Sequence, residues 1–252
     1  YGCRFIAEHF EGVEVSKPEG TYMLFLDCEN WCRAHGKEVV RLRRTPGISS
    51  TAIREAMKML DMHDIRLTYE ADLPARTGLG TSSSFAVGML NAFYALKGKY
   101  ADKKRLSDEA IYLERVLCNE AGGWQDQIAA AYGGFNRINF HGDSYDVQPI
   151  IIAPERKKQL NDNLMMFFTG FTRFSSEIQQ SSKSMEDKTA QLLQMLAIVD
   201  EAEKVLEDKT SDLDDFGRLL DKSWRLKKQT GNKVSTGGID ELYERAMAAG
   251  AL

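Results

Sequence analysis

The chain has 252 residues, 43% hydrophobic and 28% charged, which fits a folded globular protein and excludes wholesale disorder. Thirty-three Lys and Arg against 37 Asp and Glu give a net charge of -4, so no basic excess points to nucleic acid or an anionic membrane. Apolar runs fall short of the roughly 18 residues that span a bilayer, and no secretory signal pattern opens the chain. Cys3, Cys28, Cys32 and Cys118 are too few and scattered for a disulfide framework; they read as free thiols in a reducing, cytoplasmic compartment. His9, His35, His63 and His141 form no cluster, which argues against a metal site built from His or Cys.

In chain order, residues 21–26 after Pro18 and Gly20 read as a short apolar strand, and residues 30–35 as a helix start. Pro46-Gly47 marks an early boundary. Ser50 can cap a helix through Leu60, with Ile53, Met57 and Leu60 on one face. Residues 65–71 alternate apolar and polar, as a half-buried strand does. Helices are expected over residues 83–96 and 107–118, the second capped by Ser107. Strands follow over residues 135–140 and 145–152, with a buried strand over residues 164–168. The rest reads as helix: residues 175–182, 188–207, 213–229 and 238–249. Strands with early helices, then a helical half, imply an α+β protein of two lobes divided near residues 150–160.

Three local patterns carry chemistry. Between a predicted strand and helix lies Pro74-Ala75-Arg76-Thr77-Gly78-Leu79-Gly80-Thr81-Ser82-Ser83-Ser84. Glycines let a backbone bend around an anion, and a helix start offers unpaired N–H groups and positive dipole. The hydroxyls of Thr81, Ser82 and Ser83 suit phosphate oxygens or magnesium. No Gly-Lys-Ser/Thr follows, so this is not a Walker A loop, and an ordinary Ser-capped turn fits equally well. The second pattern is Gly122-Gly123-Trp124-Gln125-Asp126-Gln127, where Asp126 suits a general base or simply a helix cap. The third is Glu114, a carboxylate in an apolar stretch, suited to hold magnesium or to pair with a neighbouring cation. A phosphate-cradling turn, a magnesium carboxylate and a base are together what phosphoryl transfer needs.

With these motifs in place, residues from about 50 to 252 resemble the GHMP kinases. The similarity is greatest to bacterial sugar kinases of the D-glycero-D-manno-heptose 7-phosphate kinase type. It rests on Leu79-Gly80-Thr81-Ser82-Ser83, on Gln125-Asp126-Gln127 with Ala129-Ala130-Ala131-Tyr132-Gly133-Gly134-Phe135-Asn136, and on Phe168-Thr169-Gly170 with Thr172-Arg173 and Ser175-Ser176. The resemblance implies a two-lobed α+β GHMP kinase fold using ATP and Mg2+. It implies that Gly78, Leu79, Gly80, Thr81, Ser82 and Ser83 bind ATP, that Ser82 and Glu114 hold the metal, and that Asp126 is the catalytic base. Arg173, with Thr172, would hold a phosphate on the sugar; a solvated loop arginine is the alternative. The implied activity is phosphorylation of a heptose phosphate at its anomeric hydroxyl, in nucleotide-heptose synthesis for surface polysaccharide. A galactose- or mevalonate-type acceptor and a non-catalytic nucleotide binder are the alternatives.

Two family parts are not found. The first motif does not appear before Ser50, and the third, a Gly-Ala-Gly-Gly-Gly-type loop, is expected shortly after Ala248-Ala249-Gly250-Ala251. The expectation is therefore a GHMP fold truncated at both ends. Residues 4–36, with Lys17-Pro18-Glu19-Gly20-Thr21 and Trp31-Cys32, resemble instead the small domain of a cystathionine β-lyase-like pyridoxal-phosphate aminotransferase. They contain no Schiff-base lysine motif, so lyase activity is not expected, and a join around residues 38–50 reads as a chimera. The expected organisation is a foreign-looking αβ segment over 1–44, an ATP-binding domain over 45–155 and a C-terminal domain over 156–252.

Overall fold

A computed structural model describes residues 14–16, 23–27, 50–65, 67–71, 78–166, 185–231 and 234–252. The fold is α+β and divides into two compact units, Tyr1–Gly134 and Phe135–Leu252. No helix among the described residues is long and apolar enough to cross a membrane.

The first unit contains strands β1 (Glu14–Ser16), β2 (Met23–Asp27) and β3 (Glu70–Ala71), joined as an antiparallel sheet in the order β1-β2-β3. The strand expected over 21–26 is thus present, shifted toward Asp27. Of the strand expected over 65–71, only Glu70–Ala71 pairs with a neighbour among the described residues; alternation signals a half-buried surface, and pairing needs a partner edge as well. Helix α1 (Ser50–Met59) lies where its apolar face predicts. Helix α2 (Thr81–Leu96) forms the centre of the unit. Phe85, Ala86, Met89, Leu90 and Phe93 are almost wholly enclosed, because the helix is apolar around most of its circumference. Ala56, Ala110 and Leu113 close around it, and Tyr69 packs on Phe85 with the rings tilted and their centroids 4.8 Å apart. At its far end Lys97 donates its ammonium to the carbonyls of Leu60 and Asp61, just beyond the C-terminus of α1.

Helix α3 (Lys103–Tyr112) starts a turn earlier than expected. Asp102, not Ser107, is its cap, accepting from the Arg105 N–H at 2.7 Å. A carboxylate at the positive end of a helix is a strong cap, which leaves Ser107 inside the helix, fully buried, with its hydroxyl donated to the Lys104 carbonyl. The last stretch of α3 widens into a π-helical turn over Leu113–Leu117, closed by Cys118 N–H to the Leu113 carbonyl at 2.9 Å. After the glycine turn comes α4 (Gln125–Tyr132).

The second unit opens with a hairpin of β4 (Asn136–His141) and β5 (Ser144–Pro149), close to the two strands expected there. Gly142 supplies the left-handed conformation, φ 65°, that its two-residue turn requires. Helix α5 (Pro154–Asn163) was not expected from the sequence. Pro154 in its first turn, Glu155 beside it, and Arg156 and Leu160 buried four apart were the available signals. The buried strand expected over 164–168 is corrected: Leu164, Met165 and Met166 join no ladder and are exposed, while residues 167 and 168 lie outside the described set. Leu164 turns extended immediately after the helix, with no partner edge for it among the described strands.

Helices α6 (Met185–Glu207), α7 (Asp214–Gln229) and α8 (Gly237–Ala248) match the expected spans closely. The guanidinium of Arg156 is buried at the end of α6, donating to the carbonyls of Val205, Leu206 and Ser211. A fixed cation there satisfies carbonyls that a helix C-terminus leaves unpaired. Arg137 of β4 forms ion pairs with Asp200 and Glu203 of α6. Expected helices over 30–35 and 175–182 lie outside the described residues.

Candidate functional site

The site is built at the N-terminal end of α2. Gly78 and Gly80 both have left-handed backbones, φ 79° and 66°, which side-chain-bearing residues adopt at a cost of about 1–2 kcal/mol. Gly80 is the N-cap of α2 and, having no side chain, makes no cap hydrogen bond of its own. The first turn carries no acidic residue. The N–H groups there and the positive end of the helix dipole thus meet no protein anion from that turn, the arrangement in which helix termini bind phosphate. Leu79 is exposed at the tip of the loop. Among the patterns read from the sequence, the Ser-capped turn is excluded by the glycine cap.

Glu114 comes to this end of α2 from the π-helical turn. Only 4% of its surface is exposed. Ser82 donates its hydroxyl to Oε1 at 2.6 Å, Ser83 donates to Oε2 at 2.8 Å, and the Gln127 amide donates to Oε2 as well. All these donors are neutral, and no cation forms an ion pair with Glu114 among the described residues. The surface ion pair considered for Glu114 is therefore excluded among those residues. A buried carboxylate held by neutral donors retains its charge problem, and a cation solves it. Oxygen donors from Ser82 and Glu114 side by side are the hard ligand set that magnesium takes.

Asp126 is the second residue of α4 and does not cap it; the N-cap position is Trp124. Although the residue as a whole is exposed, its carboxyl is lodged against Gly80. A Cβ placed on Gly80 would lie 3.3 Å from Asp126 Cγ and 3.5 Å from Oδ2. Burial of the carboxyl raises its pKa above the ordinary aspartate value. The adjacent Gln127, about 100° further round the helix, turns inward to Glu114 instead. One helical turn thus supplies a carboxyl to the loop and an amide to the buried acid.

Two neighbouring groups are tuned by the same charge. Burial first, then the Glu114 charge, raises the Glu120 pKa. Burial, then the charges of Glu120 and Glu114, pushes the Cys118 thiol up to about 11, which removes it as a thiolate nucleophile at neutral pH. Cys118 is a free cysteine.

The structure therefore brings Gly78, Leu79, Gly80, Thr81, Ser82, Ser83, Glu114 and Asp126 to one end of α2. Thr172 and Arg173 lie outside the described residues. Gln127 stands in the Gln125-Asp126-Gln127 motif, but the sequence gives it no role of its own. No group of three His, Cys, Asp or Glu side chains suited to a metal exists among the described residues, so protein carboxylates alone do not form a closed cage there.

Gly80→Ala is expected to lower the unfolding free energy by about 1–2 kcal/mol from left-handed strain. It should do so further by crowding Asp126. Chemical denaturation checks this, and an unchanged midpoint would contradict the left-handed cap.

Residues 48–134 match the family described as the GHMP kinases N terminal domain. These residues are a GHMP kinase N-terminal domain. Over 187 residues, 72% of the chain, the sequence is 32% identical to D-glycero-alpha-D-manno-heptose 7-phosphate kinase of Campylobacter jejuni. The chain spans about half of that relative, 54% of its length. The crystal structure of a D-glycero-D-manno-heptose 1-phosphate kinase from Bacteroides thetaiotaomicron is 26% identical. It superposes with a TM-score of 0.56 over 75% of this chain and 58% of that one. Mevalonate kinase, 15% identical, shares the fold with a TM-score of 0.57 over 94% of this chain and 74% of its own. In the GHMP kinase N-terminal domain of this chain, the glycine loop, Glu114 and Asp126 all fall inside the matched range.

Proposed function

We propose that this chain is part of an ATP-dependent sugar kinase that transfers the γ-phosphate of ATP to a hydroxyl of a heptose phosphate. The observation that carries the reading is the meeting of three groups at one helix terminus: the glycine-capped N–H groups of α2, the buried Glu114 on Ser82 and Ser83, and the Asp126 carboxyl against Gly80. The 32% identity to a heptose 7-phosphate kinase supports the acceptor class. The expected lobe ranges, 45–155 for ATP binding and 156–252 for the C-terminal domain, belong to the same reading.

In this reading Gly78, Leu79, Gly80, Thr81, Ser82 and Ser83 line the ATP phosphates, with backbone N–H groups donating to phosphate oxygens. Ser82 and Glu114 hold Mg2+, which when bound neutralises phosphate charge. Asp126 accepts the proton of the acceptor hydroxyl as its oxygen bonds to the γ-phosphorus and the bond to the ADP oxygen breaks. A carboxyl with a raised pKa is a better proton acceptor than an ordinary aspartate. Thr172 and Arg173 hold the phosphate already on the sugar, a task suited to a guanidinium. The attacking group is the anomeric hydroxyl, and the product feeds nucleotide-heptose synthesis for surface polysaccharide in the cytoplasm.

The test is ADP release from Mg-ATP with heptose 7-phosphate, galactose and mevalonate offered separately. The reading expects release that depends on the heptose phosphate. Release only with galactose or mevalonate would overturn the acceptor class. ATP binding without release for any acceptor would favour a non-catalytic nucleotide binder.

A further inference from the structure

Gln127 is 5% exposed, and its two amide atoms have different fates. Nε2 donates to Glu114 Oε2, while Oε1 is buried with no hydrogen-bond partner among the described residues. The chemistry fixes which end is which, because a carboxylate accepts and only the amide nitrogen donates. With Ser83 also donating to Oε2, that oxygen has two donors among the described residues, whereas Oε1 has only the Ser82 hydroxyl among them.

We propose that Gln127 is a positioning residue for the cation site: with Ser83 it locks Glu114 Oε2, leaving Oε1 beside the Ser82 hydroxyl for a divalent cation. The inference rests on the kinase reading for the presence of the cation, and goes beyond it in assigning Gln127. A buried carbonyl without a donor is costly, so an amide oxygen left in that state beside a buried carboxylate calls for a donor from elsewhere. The orphaned Oε1 of Gln127 instead leaves an acceptor for the donors that a hydrated magnesium brings, since that ion keeps several of its waters. Groups that orient a ligand in this way typically account for about 10–100-fold in metal affinity.

The experiment measures ADP binding by calorimetry with and without Mn2+, alongside thermal melting, for the parent chain and Gln127→Met. The ratio of the two ADP affinities reports the coupling between cation and nucleotide. In the parent, Mn2+ should tighten ADP binding. In Gln127→Met the tightening should fall by about 10–100-fold, with the metal-free ADP affinity and the melting midpoint preserved. Gln127→Asn, which keeps the amide but shortens its reach, should give the same selective loss. A lowered midpoint with the coupling ratio unchanged would make Gln127 structural and overturn the proposal. A parent that binds ADP without any Mn2+ dependence would remove the cation site itself, and the proposal with it. A parent that binds no ADP would sink the kinase reading as well.

Discussion

Asp126→Asn is expected to lower phosphoryl transfer by about 10²–10⁴-fold, the usual contribution of a general base, while leaving ATP binding intact. The same substitution should raise thermal stability at neutral pH. Burial against Gly80 raises the pKa of the Asp126 carboxyl in the folded chain. A carboxyl shifted upward contributes stability that is fully present below its unfolded value, about pH 4, and is lost as pH rises through the folded value. At neutral pH the ionised Asp126 is therefore a cost, which the neutral amide removes. Melting from pH 4 to 8 should show the Asn variant above the parent at neutral pH, with the gap closing as pH falls. A variant that is less stable at neutral pH, or one that keeps full turnover, would contradict the assignment of Asp126.

Glu114 is expected to show the largest combined effect, and two substitutions separate its two duties. Glu114→Ala leaves the hydroxyls of Ser82 and Ser83 and the amide of Gln127 without their acceptor in a buried place. Unsatisfied donors and the lost side chain should together cost on the order of 3 kcal/mol. Glu114→Gln keeps the shape. Its amide oxygen can accept from Ser83 and Gln127, and its amide nitrogen can donate to the Ser82 hydroxyl, which accepts as well as donates. The fold should therefore survive, but without the anionic oxygen that holds a hard cation. Mn2+ coupling to ADP should drop about 100-fold, the upper end of what a supporting group alone supplies. Calorimetry and melting read both variants. Unchanged coupling in Glu114→Gln would show that the cation is held elsewhere.

The glycine loop was legible because its chemistry is local: glycines before a helix that starts with hydroxyl residues describe an anion site within a few positions. Glu114 was legible as a charge in an apolar helical stretch, since burial of such a residue demands partners. Its partners were not legible. Glu114 meets Ser82 across a sequence separation of 32, and Gln127 meets it across one of 13. Gln127 looks like an ordinary polar residue beside a more conspicuous aspartate, and only the 100° step of the helix separates their roles. The fold was missed where two signals competed. Ser107 and Asp102 both suit a helix start, and the carboxylate prevailed. Leu164, Met165 and Met166 form a short apolar run, but an apolar run cannot supply a neighbouring edge. Pro154 marks a boundary or a first helical residue equally well, and here it opens α5.

The most direct measurement of the central claim is paramagnetic broadening of backbone amide signals by Mn2+ bound with ADP. The account predicts broadening centred on Gly80, Thr81, Ser82 and Ser83, with Glu114 and Asp126 in the same sphere. Those signals remaining sharp while the surface acidic residues of α3 or α7 broaden would place the cation away from the glycine loop and contradict the site.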